Sequence, residues 1–228
     1  MKSAVVVFNV GMFEITSVVV TTWGIMLILG VFCWLATRRL SISPGPLQTM
    51  LEGILLAMEE SIKTVLPSHA QQLLPFIATL WIYIVMANMT GLIPQLHSPT
   101  GYLSVTAGLA LLVFMSVHWF GIRSEGASRY FKHYLSPTPL LLPFHLISEV
   151  TRTVALAVRL FANIMSLELG ALLVLLVAGL LVPVPLLMLH IIEALIQAYI
   201  FGMLALVYIA GAMQSQQGYE QNEEGESV

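Results

Sequence analysis

Apolar stretches of about twenty residues, broken at a few points by proline or paired charges, organise this chain and predict helices almost throughout. A first span covers 16–37 and stops at Arg38-Arg39, after which Ser43-Pro44-Gly45-Pro46 breaks the helix. The stretch 47–66 reads differently. Leu47, Met50, Leu51, Ile54, Leu55, Met58, Ile62 and Val65 recur at helical spacing, and Gln48, Glu52, Glu59, Glu60 and Lys63 interrupt them. That pattern predicts an amphipathic helix on the membrane surface or against other helices rather than a span. A second span covers 75–94 and a third 102–122, joined by the loop 95–101, which has no Lys or Arg. The loop 123–139 carries Arg123, Arg129, Lys132 and His133. Two long helical segments follow, 146–182 and 186–213, with Pro183-Val184-Pro185 as a tight hairpin between them. The tail 214–228 is polar and acidic and is expected to be disordered.

Composition turns these helices into membrane spans. The 228 residues are 58% hydrophobic and 9% charged, with a mean hydropathy of +0.90, whereas soluble domains are about 25% charged. The fold class expected is an all-α membrane protein. It has about five transmembrane helices and one interfacial amphipathic helix, in a single membrane domain over 1–228. With five spans, Arg38, Arg39, Lys63, Arg123, Arg129 and Lys132 fall on one side and only Lys2 on the other. The positive-inside rule then puts the N-terminus outside and the acidic tail in the cytoplasm. Cys33, the only cysteine, excludes an internal disulfide and two-cysteine metal motifs. No phosphate loop, nucleophile motif or glycine-rich nucleotide fingerprint occurs, so no nucleotide, nucleic acid or cofactor is expected to bind this chain. No secretory signal or transit peptide is visible. That favours a bacterial inner membrane and leaves an organellar inner membrane open.

The fourth span is too long for a bilayer. Its residues would extend over about 50 Å, against a hydrocarbon core of about 30 Å. A mean tilt of about 20° does not absorb that excess. The last two helices are therefore expected to form a long, strongly tilted hairpin, a shape that can wrap a curved partner.

Charge inside this hairpin is its most informative feature. Arg159 sits in Val154-Ala155-Leu156-Ala157-Val158-Arg159-Leu160-Phe161-Ala162-Asn163-Ile164. A guanidinium cannot shed its charge, and placing one in a bilayer costs at least about 2.5–3.5 kcal/mol. Asn163, four residues on, shares its helix face, while Glu168, nine residues on, lies on roughly the opposite face. Glu149 and Arg152 lie upstream. On the return helix His190, Glu193 and Gln197 form one polar stripe. Arg159 alone could be a structural ion pair with Glu168 or Glu193, Arg152 a snorkelling interfacial residue, Asn163 a helix-packing hydrogen bonder, and His118 and His145 span-end residues. Together, the polar groups on two adjacent apolar helices point to an aqueous or proton path. His190 and Glu193 could supply two metal ligands, but no further ligand pair has convincing spacing, so no metal site is expected.

At these residues the chain closely resembles subunit a of the F-type ATP synthase. The resemblance runs through Ser148-Glu149-Val150-Thr151-Arg152, Leu156-Ala157-Val158-Arg159-Leu160-Phe161-Ala162-Asn163 and Glu168-Leu169. It continues in His190, Glu193 and Gln197-Ala198-Tyr199-Ile200-Phe201. Asn88-Met89-Thr90-Gly91-Leu92-Ile93-Pro94 is similar to the family's second-span ending, and Ile15-Thr16 leading to Thr22-Trp23 to its first span. Departures are Thr153, where the family often has proline, and Ser166-Leu167 in place of a commoner Ala-Gly.

The resemblance implies a non-catalytic stator beside a rotating ring of c subunits, each with one membrane carboxylate, and held by peripheral-stalk b subunits. Arg159 matches the essential ring-facing arginine. Glu168, His190 and Glu193 match positions of the ion half-channels, and Gln197 matches the glutamine facing the arginine region. Asn163 belongs to the same group, with Glu149, Arg152 and Asn88 as possible support. A ring carboxylate facing lipid is neutral because burial raises its pKa, and Arg159 favours the ionised form that releases the ion. The ion implied is H⁺. Na⁺ coupling stays open, because ion choice is largely written in the c subunit. An independent secondary transporter and a purely structural respiratory subunit also stay open at this level.

Overall fold

The computed structural model describes residues 6–10, 13–38, 45–93, 98–125, 142–178 and 183–214. Arg129, Lys132 and His133 of the basic loop, residues 179–182 and the acidic tail beyond Gln214 lie outside the described residues. Among the described residues six α-helices carry the architecture. They are α1 (Ser17–Thr37), α2 (Pro46–Val65), α3 (Ala70–Met89), α4 (Leu103–Glu125), α5 (Leu142–Ala178) and α6 (Pro183–Gln214). Five helical stretches among the described residues are long and apolar enough to cross a membrane: Ser17–Thr37, Pro67–Leu92, Leu103–Ser124, Leu146–Val174 and Leu187–Met213. Among the described residues, the one departure from helix is a short antiparallel pair, β1 (Val6–Val10) and β2 (Phe13–Thr16), with Val10 opposite Phe13 and Val6 opposite Thr16. Its sequence is rich in Val, Phe and Ile, residues that suit a pleated strand. Such a ribbon leans on the helix it precedes, since an isolated hairpin is marginal.

The bundle is built around α6. Its Ala194, Ala198, Phe201, Ala205, Leu206 and Ile209 are buried, against Leu73, Ile77, Trp81 and Ile84 of α3, Val113 and Val117 of α4, and Leu156 and Leu160 of α5. The seam between α3 and α6 is close because Gly202 has no side chain. Trp81 lies over it, stacks on Tyr199 with centroids 5.7 Å apart and donates its indole N–H to the Tyr199 carbonyl at 3.2 Å. By contrast α1 buries only Val18 and Ile25 and exposes Trp23, Leu27 and Phe32. A helix apolar on all sides belongs in lipid. At its end Arg38 folds back over the Trp34 ring, 4.9 Å from the centroid.

Three helix starts differ from the sequence expectation, and α5 begins at Leu142 rather than at 146. Helix α3 begins at Ala70 rather than at Pro75. A proline this near the start removes one backbone bond, that to the Gln71 carbonyl, and the helix tolerates it. Helix α6 begins at Pro183 itself, where the missing N–H of a first-turn proline has no partner to lose. Helix α2 is amphipathic and docks by its C-terminal end. Ile62 is fully buried, while Leu47, Met50 and Leu56 stay exposed and Lys63 pairs with Glu59 at 2.7 Å.

Helices α5 and α6 run antiparallel in a simple register. Asn163 meets Gln197 and Arg152 meets Tyr208, so facing positions have numbers that add to the same value. Arg159 is therefore level with Phe201. The 37 residues of α5 extend over about 55 Å, well beyond the apolar thickness of a bilayer. Helix α5 is also thinly covered. Only 17% of its most apolar stretch is buried, against 50% for α6.

Candidate functional site

Three groups of polar side chains line this hairpin at three levels. The first lies toward the α5–α6 connection. Asn88, in the last turn of α3, is fully buried. Its side-chain oxygen accepts from the Thr100 hydroxyl at 2.6 Å. Ser98 lies 2.6 Å from that hydroxyl and donates to the Ala87 carbonyl at 2.8 Å. His190 of α6 is also buried and brings Nε2 to 3.4 Å from the Asn88 carbonyl. A carbonyl only accepts, so this contact is a hydrogen bond when Nε2 carries the proton. Glycines lie beside these side chains. A Cβ on Gly91 would come 3.7 Å from His190 Cε1, and one on Gly101 would come 3.3 Å from Glu168 Oε1. Glu168 and His190 thus reach opposite ends of the same short connection between α3 and α4. The Asn88 amide nitrogen is buried with no acceptor among the described residues. Buried orphan donors of this kind are where ordered water is expected.

The second level holds Arg159 and Asn163. The Asn163 amide donates to Gln197 Oε1 at 2.5 Å. Gln197 is 2% exposed, and its own amide nitrogen has no partner among the described residues. Arg159 is one turn away and exposed on the open face of α5, flanked by exposed Ala155, Ala162 and Ser166. Among the described residues it has no ion-pair partner, so the structural pair with Glu168 or Glu193 suggested by sequence is not formed. Glu193 is half-buried on α6 between His190 and Gln197, and no described residue hydrogen-bonds its carboxylate.

The third level lies toward the start of α5. His118 Nε2 of α4 is 3.4 Å from Glu149 Oε2 of α5, and its Nδ1 is 2.9 Å from the Phe114 carbonyl. Arg152, one turn beyond Glu149, lies over the Tyr208 ring of α6 at 5.6 Å. Val113, Phe114, Glu149, Arg152 and Tyr208 line a cavity of about 30 Å³. Sequence reasoning placed His118 at a span end and missed Ser98, Thr100 and Tyr208. The loop hydroxyls have no helical period, and the His118–Glu149 pairing arises only from helix packing. A much larger cavity of about 890 Å³ lies away from all three levels, between α1, α3 and α4. Apart from a few hydroxyls its lining is apolar, including Val18, Met26, Leu29, Phe76 and Leu109, so it offers no ion path.

Comparison with known proteins gives the family. The family model described as ATP synthase A chain matches residues 19–210. The chain is 62% identical over 208 residues to ATP synthase subunit a 2 of Pelobacter propionicus, covering 91% of each chain. It is 64% identical over 206 residues to ATP synthase subunit a 1 of Hahella chejuensis, covering 90% of this chain and 88% of that one. With ATP synthase subunit a of Legionella pneumophila (strain Corby) it shares 57% identity over 222 residues, 97% of this chain and 95% of the relative. The chain therefore belongs to the ATP synthase A chain family, that of the F-type subunit a, as a multi-pass membrane subunit of that complex.

Proposed function

We propose that this chain is the non-catalytic, ion-translocating stator of the complex, and that Arg159 faces the membrane carboxylates of a rotating c ring. One observation carries the reading: a permanent charge on the open face of an apolar helix, without a described partner in its own chain. The bilayer penalty of such a charge, at least about 2.5–3.5 kcal/mol, is offset when a carboxylate on a neighbouring helix arrives. Small neighbours at Ala155, Ala162 and Ser166 let that helix approach closely. The excess length of α5 supports a strongly tilted hairpin against the ring.

The ion is H⁺. The outer half-channel uses Asn88, Glu168, His190 and Glu193, whose donors and acceptors hydrate it or relay protons. Asn163 and Gln197 hold the hairpin together beside the arginine. A ring carboxylate stays neutral in lipid, ionises opposite Arg159 and takes a new proton from the other half-channel. The fixed positive charge also blocks a direct leak between the half-channels. The driving energy is about 2.3 kcal/mol per charge per 100 mV. Peripheral-stalk b subunits hold the chain still, in a bacterial inner membrane, with the N-terminus outside and the α6 C-terminus in the cytoplasm.

The test is ATP-driven proton uptake by vesicles bearing the whole complex, wild type against Arg159→Ala, at very low and at added Na⁺. Loss of uptake with the complex still assembled is expected. Unchanged uptake in the variant would overturn the proposal, and wild-type proton uptake abolished by Na⁺ would replace H⁺ by Na⁺.

A further inference from the structure

We infer that His118 and Glu149 form a single-proton binding site that terminates the ion path on the side opposite Glu168 and His190. The inference rests on the proposed ion-path reading and assigns a role to a pair that the sequence leaves at a span end.

The hydrogen-bond chemistry of the ring carries the first step. Nδ1 of His118 faces the Phe114 carbonyl at 2.9 Å. A carbonyl cannot donate, so Nδ1 carries a hydrogen in this geometry. In the neutral imidazole Nε2 is then a bare acceptor, and Glu149 Oε2 lies 3.4 Å from it. Two bare acceptors would repel. The contact is favourable when one proton lies between them, on Nε2 as an imidazolium–carboxylate pair or on Oε2 as a neutral acid–imidazole pair. Both forms hold one proton and have the same net charge. The Phe114 carbonyl thus makes the pair a one-proton device whichever atom holds the proton.

Its surroundings suit transfer. Among the described residues, Arg152 on α5 and Tyr208 on α6 are the charged and titratable groups beside it. When the proton leaves, the pair keeps one negative charge, and Arg152, one turn along, is the positive charge beside it. The adjoining cavity of about 30 Å³ exceeds the 10–15 Å³ or so that one water needs, and Glu149 and Arg152 both line it. A water there can take the proton from the Glu149 carboxyl and pass it to the solvent at that end. No other bond is made or broken.

Position along α5 completes the argument. Glu149 lies about 15 Å from Arg159 on one side, and Glu168 about 14 Å on the other. Two titratable groups thus bracket the arginine over about 29 Å of helix. They also engage different neighbours, the α3–α4 connection for Glu168 and α4 itself for Glu149. Two offset half-channels need this arrangement.

The experiment measures passive proton conduction through the membrane sector in vesicles stripped of the catalytic head, as a function of pH on the α5 N-terminal side. It compares wild type, H118Q, E149Q, the double variant, E149D and Arg159→Ala. Retention of the chain with the c ring on purification checks assembly. H118Q and E149Q are each expected to lower conduction by about tenfold or more, below what a fully positioned proton-transfer group supplies because water bridges part of the gap. Both should flatten the pH profile, the double variant should lose no more than either single one, and E149D should recover part of the flux. Wild-type conduction and pH profile in assembled H118Q and E149Q, with Arg159→Ala inactive in coupled pumping, would overturn this inference alone. If Arg159→Ala pumps normally, the ion-path reading itself fails and the site goes with it. Where a single variant does not assemble, E149D decides: a wild-type pH profile overturns the site, and a shifted one supports it.

Discussion

Gly202→Ala tests whether the α3–α6 seam sets the geometry of the polar groups around it. A Cβ at this position would lie 1.9 Å from Trp81 Nε1 and 2.3 Å from Cδ1. The indole would have to withdraw by about 1.5 Å or more to regain ordinary contact near 3.5 Å. The bond from Nε1 to the Tyr199 carbonyl, already 3.2 Å long, would not survive that movement. Overpacking costs about 1–3 kcal/mol, the hydrogen bond about 1 kcal/mol and the disturbed ring stack about 0.5–1.5 kcal/mol. Against these, alanine gains about 1 kcal/mol over glycine in a helix. The net expectation is a destabilisation of about 2–4 kcal/mol.

The assay is heat-induced release of the chain from the purified complex, followed for wild type, G202A, W81L and the double variant. G202A should lower the midpoint by several degrees. W81L placed in the G202A background should recover part of that loss, because the clashing ring is gone and the two positions are coupled. Proton uptake should fall in parallel. Trp81 and Asn88 are seven residues apart on one face of α3, and the seam that seats Trp81 on Gly202 also brings Asn88 to His190. An unchanged midpoint in G202A, or strictly additive losses in the double variant, would refute the reasoning.

Two smaller perturbations probe the polar contacts. Thr100→Val removes the hydroxyl that donates to the buried Asn88 side chain, leaving both of its polar atoms without a described partner. A loss of about 1 kcal/mol is expected, with Thr100→Ser close to wild type in the same thermal assay. Asn163→Leu strands Gln197 in the same way. Interhelical hydrogen bonds in membranes are worth about 0.6 kcal/mol on average and at most about 1.7, so a modest loss is expected, and adding Gln197→Leu should restore part of it.

How much of this was legible in the sequence depends on the range of the interaction. Apolar runs set the helices, because a bilayer leaves few alternatives to a helix for the backbone. Arg159 stood out because a charge that cannot be neutralised is costly in lipid. The excess length of α5 followed from counting residues. Contacts between distant segments were not legible. Ser98 and Thr100 sit in a short loop whose composition suggests only a turn, yet they close over Asn88. His118 looked like a residue at a membrane boundary until α4 packed on α5 and set it against Glu149. The short strand pair before α1 was missed because its apolar residues read as the approach to a span.

Helices α5 and α6 divide the work by burial. Helix α6 is held at four positions: His190 against Asn88, Gln197 against Asn163, Gly202 beneath Trp81 and Tyr208 beneath Arg152. Each contact reaches a different turn, so the helix can neither slide nor rotate without breaking several. Helix α5 uses its inner face for the same contacts and leaves its outer face, with Arg159, open. Had the arginine pointed inward, it would have been level with Phe201 and the apolar centre of the bundle, where a charge needs a permanent partner and then cannot release a moving one. Pointing outward on a packed helix, it has no partner among the described residues of its own chain. A strong permanent pair would hold a passing carboxylate, and a mobile arginine would follow it. A rigid hairpin with a bare charge on its open side avoids both, and on this account stiffness in α6 is a condition for exchange at α5.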